Sequence, residues 1–524
     1  MTTFTNGNIF TGQDATSFVS AMTLENGRVT WVGDAADVTD DQAIDLHQQT
    51  VLPGLLDAHT HPKYIADALH GVACTPPHIN SIADMQAALR QSSEFGKGAD
   101  VWLEGWGFDE TKLAEHRTPT VDDLDAITTE QPIFIYRSDC HSSIGNSKAL
   151  ELAGITAETP DPKGGEIGHF PDGRPNGYMK EVAASQLLIR AKSAQNYEAD
   201  VTNMVNTSTH YLENGLVAIG ELMGRKQPYD TLDLYEDAMK RGFEPQSAIY
   251  YVWSEIKDLK DPIGTPTNDK LSIAGVKVFM DGSISGETAW NKVPYPSGKN
   301  GVQLTTGEEL LAAVTFARDH HLQAAVHAMG DAAIQLILDT TQDLTPWLEH
   351  GPSIRIEHAT LLSDEMLAQI KAAKMNYALV TQPIFYFAED ESYRTYLNDD
   401  QFKNAYRIKS MIATTRTALS SDAPCTPWFE PDSPFIAMQA TVNRTAVNGD
   451  VVNSDEAISI GEAVLGYTKW GAEVGGLTDS GQLQPGFRAD FVILNQDLFN
   501  VPADQIGQTK VLSTWIGAKK VYER

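Results

Sequence analysis

Apolar residues in the middle of this chain fall into short continuous runs separated by amphipathic stretches. Runs that read as strands lie at 51–61, 216–222, 246–252, 273–280, 323–327, 353–358, 376–381 and 417–422. Between several of them apolar positions recur with helical period, at 307–320, 331–343, 363–374 and 401–413. Such alternation predicts parallel βα units. Eight units predict an α/β fold closed as a (β/α)8 TIM barrel rather than an open sheet. The two ends of the chain have another texture. Short β-like runs at 8–11, 18–22 and 28–33 are split by Gly, Asn and Asp turn signals, and runs at 486–494, 511–516 and 520–522 resemble them. Two β-rich ends around an α/β middle predict one small β-sandwich built from both termini.

One interval breaks the rhythm. From Pro62 to about Asn203 the chain runs roughly 140 residues, where a βα loop takes about 2–6. It holds polar, glycine-rich pieces at 161–165 and 171–177 and helix-like ones at 82–92 and 177–192. Emerging after the first barrel strand, it would sit over the C-terminal face, where barrel active sites lie. The expected organisation is therefore an N-terminal sandwich part at 1–52, barrel strand one at 53–70, an inserted domain over the mouth at 71–202, the barrel at 203–482 and a C-terminal sandwich part at 483–524.

Composition narrows the function classes. The chain has 524 residues, 42% hydrophobic and 21% charged, which suits a soluble multidomain protein. Its net charge of −31 would repel nucleic acid and anionic membrane surfaces. No apolar run approaches the roughly 20 residues of a membrane span, and the first residues lack the pattern of a signal peptide. Cys74, Cys140 and Cys425 are far apart, which argues against a disulfide framework or a cysteine-based zinc site. A cytoplasmic protein with a small-molecule substrate, and neither nucleic acid nor membrane as partner, is the expectation.

Candidate chemistry gathers at the ends of the predicted strands. His59 and His61 are two residues apart, so a strand points both the same way. Paired imidazoles suit Zn²⁺ and other borderline divalent metals. Lys277 stands inside an apolar run, His327 and His358 close two further strands, and Asp422 closes the last. Each alone has an ordinary reading: a hydrogen-bonded histidine, a snorkelling or ion-paired lysine, an aspartate capping a turn. Six ligand-type residues at the matching ends of five strands are a more specific signal than any one of them.

That set, with its flanking phrases, resembles the YtcJ-like branch of the amidohydrolase superfamily, which includes N-substituted formamide deformylase. The phrases are Leu52-Pro53-Gly54 before the histidine pair, Gly105-Trp106-Gly107, Arg137-Ser138-Asp139-Cys140-His141-Ser142, Asn146-Ser147-Lys148-Ala149-Leu150, Lys277-Val278-Phe279-Met280-Asp281-Gly282, His327-Ala328-Met329-Gly330-Asp331, Ile356-Glu357-His358-Ala359 and Ser421-Asp422-Ala423-Pro424. The resemblance covers nearly the whole chain. It implies one or two divalent ions per chain, with Zn²⁺ the first candidate. His59 and His61 would bind the more buried ion, N6-carboxylated Lys277 would bridge, and His327 and His358 would bind the second. Asp422 would contact the first ion and shuttle a proton. The implied reaction is hydrolysis of an amide-type C–N bond, with an N-formyl or N-acyl amine as substrate class, by a metal-activated hydroxide.

Two other readings stay open. A mononuclear aminohydrolase acting on a heterocycle would carry a glutamate three residues after the strand-five histidine, where this chain has Gly330, and would usually lack the lysine ligand. A non-catalytic binding or scaffold barrel would usually have lost some ligands, and here all six stand. Candidate substrate contacts are His141, as a donor to a carbonyl or oxyanion, Arg137, as a carboxylate clamp, and Trp106 and Trp290 as apolar walls. Their alternatives are a loop histidine, a local ion pair and core packing. Asp281 and Glu287 are candidates for supporting positions, and Cys425 has no assigned role. A homodimer would be ordinary for such enzymes, although no segment displays an interface.

Overall fold

The computed structural model describes residues 1–76, 78–195 and 197–524. At its centre eight parallel strands follow one another round a sheet: β1 (Leu55–Thr60), β2 (Leu216–Gly224), β3 (Gln246–Val252), β4 (Leu271–Phe279), β5 (Gln323–Ala328), β6 (Ile354–His358), β7 (Tyr377–Thr381) and β8 (Arg416–Leu419). Nearly every residue in them is buried, because helices cover the outer face and side chains fill the inner one. Helices Gly307–Asp319, Asp331–Thr341 and Asp364–Ala372 fall where the periodicity predicts them, and Thr306 and Ser363 cap two of them with their hydroxyls.

The ends of the sheet, β8 and β1, meet without a regular ladder. Asp422 N donates to His59 O at 2.8 Å and His61 N to Ala423 O at 3.1 Å. Below them the Ser421 backbone N–H and hydroxyl both donate to Asp57. The seam of the barrel therefore runs through the histidine pair and Asp422.

Three predicted elements differ from the fold. The run at 51–61 is two strands. Thr50–Pro53 pairs with Phe491–Leu494 in the sandwich, and the chain passes to the barrel at Gly54. A Cβ on Gly54 would lie 2.5 Å from Val217 Cγ2, so glycine is needed for the close approach. The helix expected over 177–192 begins only at Glu181, since Pro175–Lys180 is a strand paired with Ser143–Gly145 and Glu166–His169. The helix expected over 401–413 breaks into Asp399–Lys403 and Ile408–Thr414. Between them Ala405 bridges Leu361 and Tyr406 N donates to Thr360 O.

The termini do combine. A four-stranded sheet from residues 2–45 faces a six-stranded one in which Asn8–Phe10 and Thr50–Pro53 lie among the C-terminal strands. Phe4, Phe491 and Trp515 pack edge-on and stacked at 5.2–5.5 Å between centroids. The long excursion after β1 builds its own six-stranded mixed sheet, from Val72–Ala73 to Pro175–Lys180. No described helix is long and apolar enough to cross a membrane.

Candidate metal centre

All six strand-end residues line one cavity of about 270 Å³: His59, His61, Lys277, His327, His358 and Asp422. His61 Nε2 lies 2.7 Å and His59 Nε2 3.2 Å from Asp422 Oδ1, and Lys277 Nζ lies 3.2 Å from His59 Nε2. His358 Nδ1 is 3.8 Å from Asp422 Oδ2, and the His327 and His358 rings are 4.3 Å apart. His358 and Asp422 hold positive φ, as do Cys140 and Glu181 beside them. A non-glycine left-handed residue is strained, and here three such residues, Cys140, His358 and Asp422, line one cavity, with Glu181 behind His141.

Hydrogen bonds fix which ring atoms face inward. His59 Nδ1 donates to Glu357 Oε2 at 2.6 Å, which leaves Nε2 as the free donor of electrons. Glu357 is gripped by Arg355, whose Nη2 also donates to Ala58 O at 2.7 Å and whose Nη1 donates to Tyr250 Oη at 3.1 Å. Burial opposes the charge on Glu357, yet Arg355 and His59 hold its carboxyl down to about 2. His61 turns Nδ1 toward Glu221 Oε1, 3.6 Å away. His327 Nε2 donates to Gly282 O at 3.1 Å. Asp281 pins the neighbouring loops by accepting from Trp290 N, Met329 N and Gly330 N.

The donor set fits a divalent cation. His59, His61 and Asp422 present one ligand atom each, all within 4.8 Å of one another. Nδ1 of His61 and of His358 are buried without a hydrogen-bond partner among the described residues. Burial holds His327 and His358 well below the ordinary histidine value, and Asp422 stays well below the carboxylate range because His59 and His61 outweigh its burial. Neutral imidazoles, as His327 and His358 are held, and an ionised carboxylate are ligands of Zn²⁺-type ions. Burial also lowers Lys277 to about 8, so about a tenth of it is a neutral amine at pH 7.

A second cavity of about 290 Å³ adjoins the first, sharing His141, His327, His358, Asp422 and Cys425 with it. The insert delivers His141 here. Its Nδ1 meets Glu181 Oε2 at 3.0 Å. Burial would lower His141, but Glu181 and then Asp139 raise it to about 9. Because that folded-state value exceeds the ordinary 6.5, the pair's stabilisation is complete below about pH 6.5 and is lost as pH rises through about 9. Denaturant titrations of metal-free protein should therefore show Glu181→Gln costing up to about 3 kcal/mol at pH 6 and little at pH 10; an equal cost at both would contradict the pairing.

Three expected substrate contacts lie elsewhere. Arg137 is 2% exposed and committed to Glu110 through Nε and Nη2 and to Asp139 through Nη1, at 2.9–3.0 Å. It positions the His141 loop. Trp106 is buried in the insert's core with Tyr64, Phe134 and Tyr136. Trp290 packs against the barrel core, and its backbone N–H holds Asp281. The apolar walls are instead Tyr64, Phe279, Met329, Phe385 and Tyr393. Cys425 lies beside Cys140 in the lining.

Glu357, Glu221 and Glu181 are supporting residues that the sequence reading passed over. Glu221 and Glu357 carry the signal that marked Lys277, a charge inside an apolar strand. Glu389, at a kink in helix Pro383–Tyr396, also faces the second cavity, and burial with Asp109 nearby raises it to about 8.

Comparison with known proteins gives the chain's relatives. The chain is 27% identical to N-substituted formamide deformylase of Arthrobacter pascens, over 99% of this chain and 98% of that one. It is 28% identical to putative amidohydrolase YtcJ of Bacillus subtilis (strain 168), over 93% and 91%. An uncharacterised metal-dependent hydrolase from Pyrococcus horikoshii OT3 superposes with a TM-score of 0.78 at 26% identity, covering 96% of this chain and 99% of the other. The amidohydrolase family model matches residues 42–522, and the chain belongs to that family, in its YtcJ-like branch.

Proposed function

We propose that this chain is a metal-dependent hydrolase that cleaves the C–N bond of an amide-type substrate, an N-formyl or N-acyl amine. The observation that carries the reading is the convergence of six ligand-type side chains on one buried cavity.

His59, His61 and Asp422 would hold one divalent ion, Zn²⁺ being the best match, and His327 and His358 a second. When bound, such ions polarise a carbonyl and acidify a water. Lys277 is suited to join them: its neutral Nζ adds to the carbon of CO₂ and loses a proton, giving an anionic carbamate. The chain's own groups then divide the work. Asp422 takes the proton of the attacking water and returns it to the leaving nitrogen. His141, cationic beside Glu181, donates a hydrogen bond to the carbonyl oxygen as charge develops there. Phe279, Phe385 and Tyr393 keep the cavity apolar around the organic part of the substrate.

Gly330 disfavours the heterocycle deaminase reading. A Cβ at that position would lie 2.1 Å from Trp290 O, so the glutamate that reading needs has no room there. The presence of all six ligand-type residues likewise disfavours a non-catalytic scaffold.

The test is a screen of formamides, N-acyl amines, cyclic imides and lactones with Zn²⁺- or Mn²⁺-loaded protein, beside a heterocyclic amine panel. Amine release that is abolished by chelation and restored by metal is expected. Turnover confined to ammonia release from heterocycles, with one ion per chain, would overturn the reading.

A further inference from the structure

Beside the metal-centre cavity lies another. Tyr64 and Met223 belong to both linings and form the partition. Ile189, Pro228 and Leu234 make its other walls apolar, and Arg225, the first residue after β2, supplies a charge.

Arg225 is 8% exposed. Its Nη1 donates to Glu255 Oε1 at 3.0 Å, and the same oxygen accepts from Arg190 Nη2 at 2.6 Å. One carboxylate thus serves two guanidinium groups, while Glu221 puts a second carboxylate in the cavity lining. Nε and Nη2 of Arg225 are buried and have no hydrogen-bond partner among the described residues. The Tyr64 phenol stands beside the guanidinium, close enough to act on it through charge and as a hydrogen-bonding neighbour. Other nearby charges are already committed. Lys63 pairs with Asp67 and Asp200, and Glu221 accepts from Met223 N and Tyr235 Oη. The loop is fixed, since Arg225 and Thr231 exchange hydrogen bonds at 2.8 and 2.9 Å.

Nε–H and Nη2–H form the edge of a guanidinium that grips a carboxylate through two parallel hydrogen bonds. Buried donors without acceptors are costly, and Arg225 lines a cavity whose walls are partly apolar. We propose that Arg225 is an anion subsite holding the carboxylate of a small organic acid whose apolar body lies along Tyr64, Met223, Ile189, Pro228 and Leu234. The acid has two sources: the carboxylate-bearing end of a substrate, which rests on the proposed hydrolysis, or a separate ligand bound beside the active site.

The probe is benzoate, with benzamide as neutral isostere and inorganic phosphate as the other anion, followed by calorimetry and melting temperature on metal-loaded full chain. Benzoate should bind and benzamide and phosphate should not. Arg225→Gln and Arg225→Lys should each weaken benzoate by about tenfold or more with metal content unchanged. Equal binding of benzoate and benzamide, preference for phosphate, or unchanged affinity in both variants would overturn the proposal. Crystals of the unsubstituted protein with 4-bromobenzoate give a readout independent of variant folding: the bromine should lie in this cavity, and bromine only elsewhere would overturn it. The source follows from kinetics. Benzoate competing with substrate, with KM raised by Arg225→Gln only for carboxylate-bearing amides, identifies a substrate end. An effect on kcat at constant KM identifies a separate ligand. The binding measurements need no turnover, so their failure is distinguishable from failure of the hydrolase reading.

Discussion

Asp422→Asn is expected to lower kcat by about 10²- to 10⁴-fold, the usual worth of a positioned proton carrier, with KM little changed. The carboxylate touches both His61 and His59 and stays ionised although buried, because those imidazoles favour its charge. Asparagine keeps the shape and one oxygen donor but cannot accept the proton of water. Metal content, read by elemental analysis, should fall less than activity. A variant within tenfold of the parent enzyme on its best substrate would remove Asp422 from the proton path. The same measurement with Asp422→Ala should lose both metal and activity, since that change deletes the ligand oxygen as well.

Glu357→Gln should strike the centre from behind. It removes the negative charge that faces Arg355 and His59 while leaving all six cavity residues intact. A buried guanidinium left without its counter-charge costs about 3–5 kcal/mol, and Gln, which keeps a hydrogen-bonding oxygen, should fall at the low end. Linkage gives the same size. The Glu357 carboxyl sits at about 2 in the folded chain against 4.5 for an ordinary glutamate, worth about 3 kcal/mol. A depressed folded value means that this stability is present above about pH 4.5 and lost as pH falls toward 2. The destabilisation by Glu357→Gln should therefore be full at pH 7 and shrink in acid. Metal affinity should fall about 10- to 100-fold, as for other partners of ligand histidines. Chemical denaturation at pH 7 and at pH 3.5, with competitive metal titration, checks both; an unchanged metal affinity would make Glu357 a folding residue alone.

The barrel was legible because its strands are buried on both faces and so read as unbroken apolar runs. The candidate ligands were legible for the related reason that Lys277 or His358 in such a run is conspicuous. What escaped depends on which side chains the fold brings together. His59 says nothing about a partner 298 positions away, so Glu357 read as a flank to His358. Arg137 and Trp106 sit in phrases that resemble a binding site, yet one is used up by Glu110 and Asp139 and the other by packing. In the insert the strands are only a few residues long, and Gly177, at φ +90°, turns what reads as a helix start into a strand. Pairing with Ser143–Gly145 overrode local preference there.

The barrel seam gives the order of assembly a chemical meaning. The contact of His61 with Asp422 spans 361 positions of sequence, so β1 waits through about seven-tenths of the 524-residue chain before its last neighbour exists. Closing so long a loop costs entropy that no local contact repays. A divalent ion gripped from both sides of that seam would favour the closed form by mass action. Chelation should then speed hydrogen exchange first at the Asp422 and His61 amides, while the opposite wall, β4 and β5, stays protected. On this view the ion that equips the protein for catalysis also fastens the barrel shut.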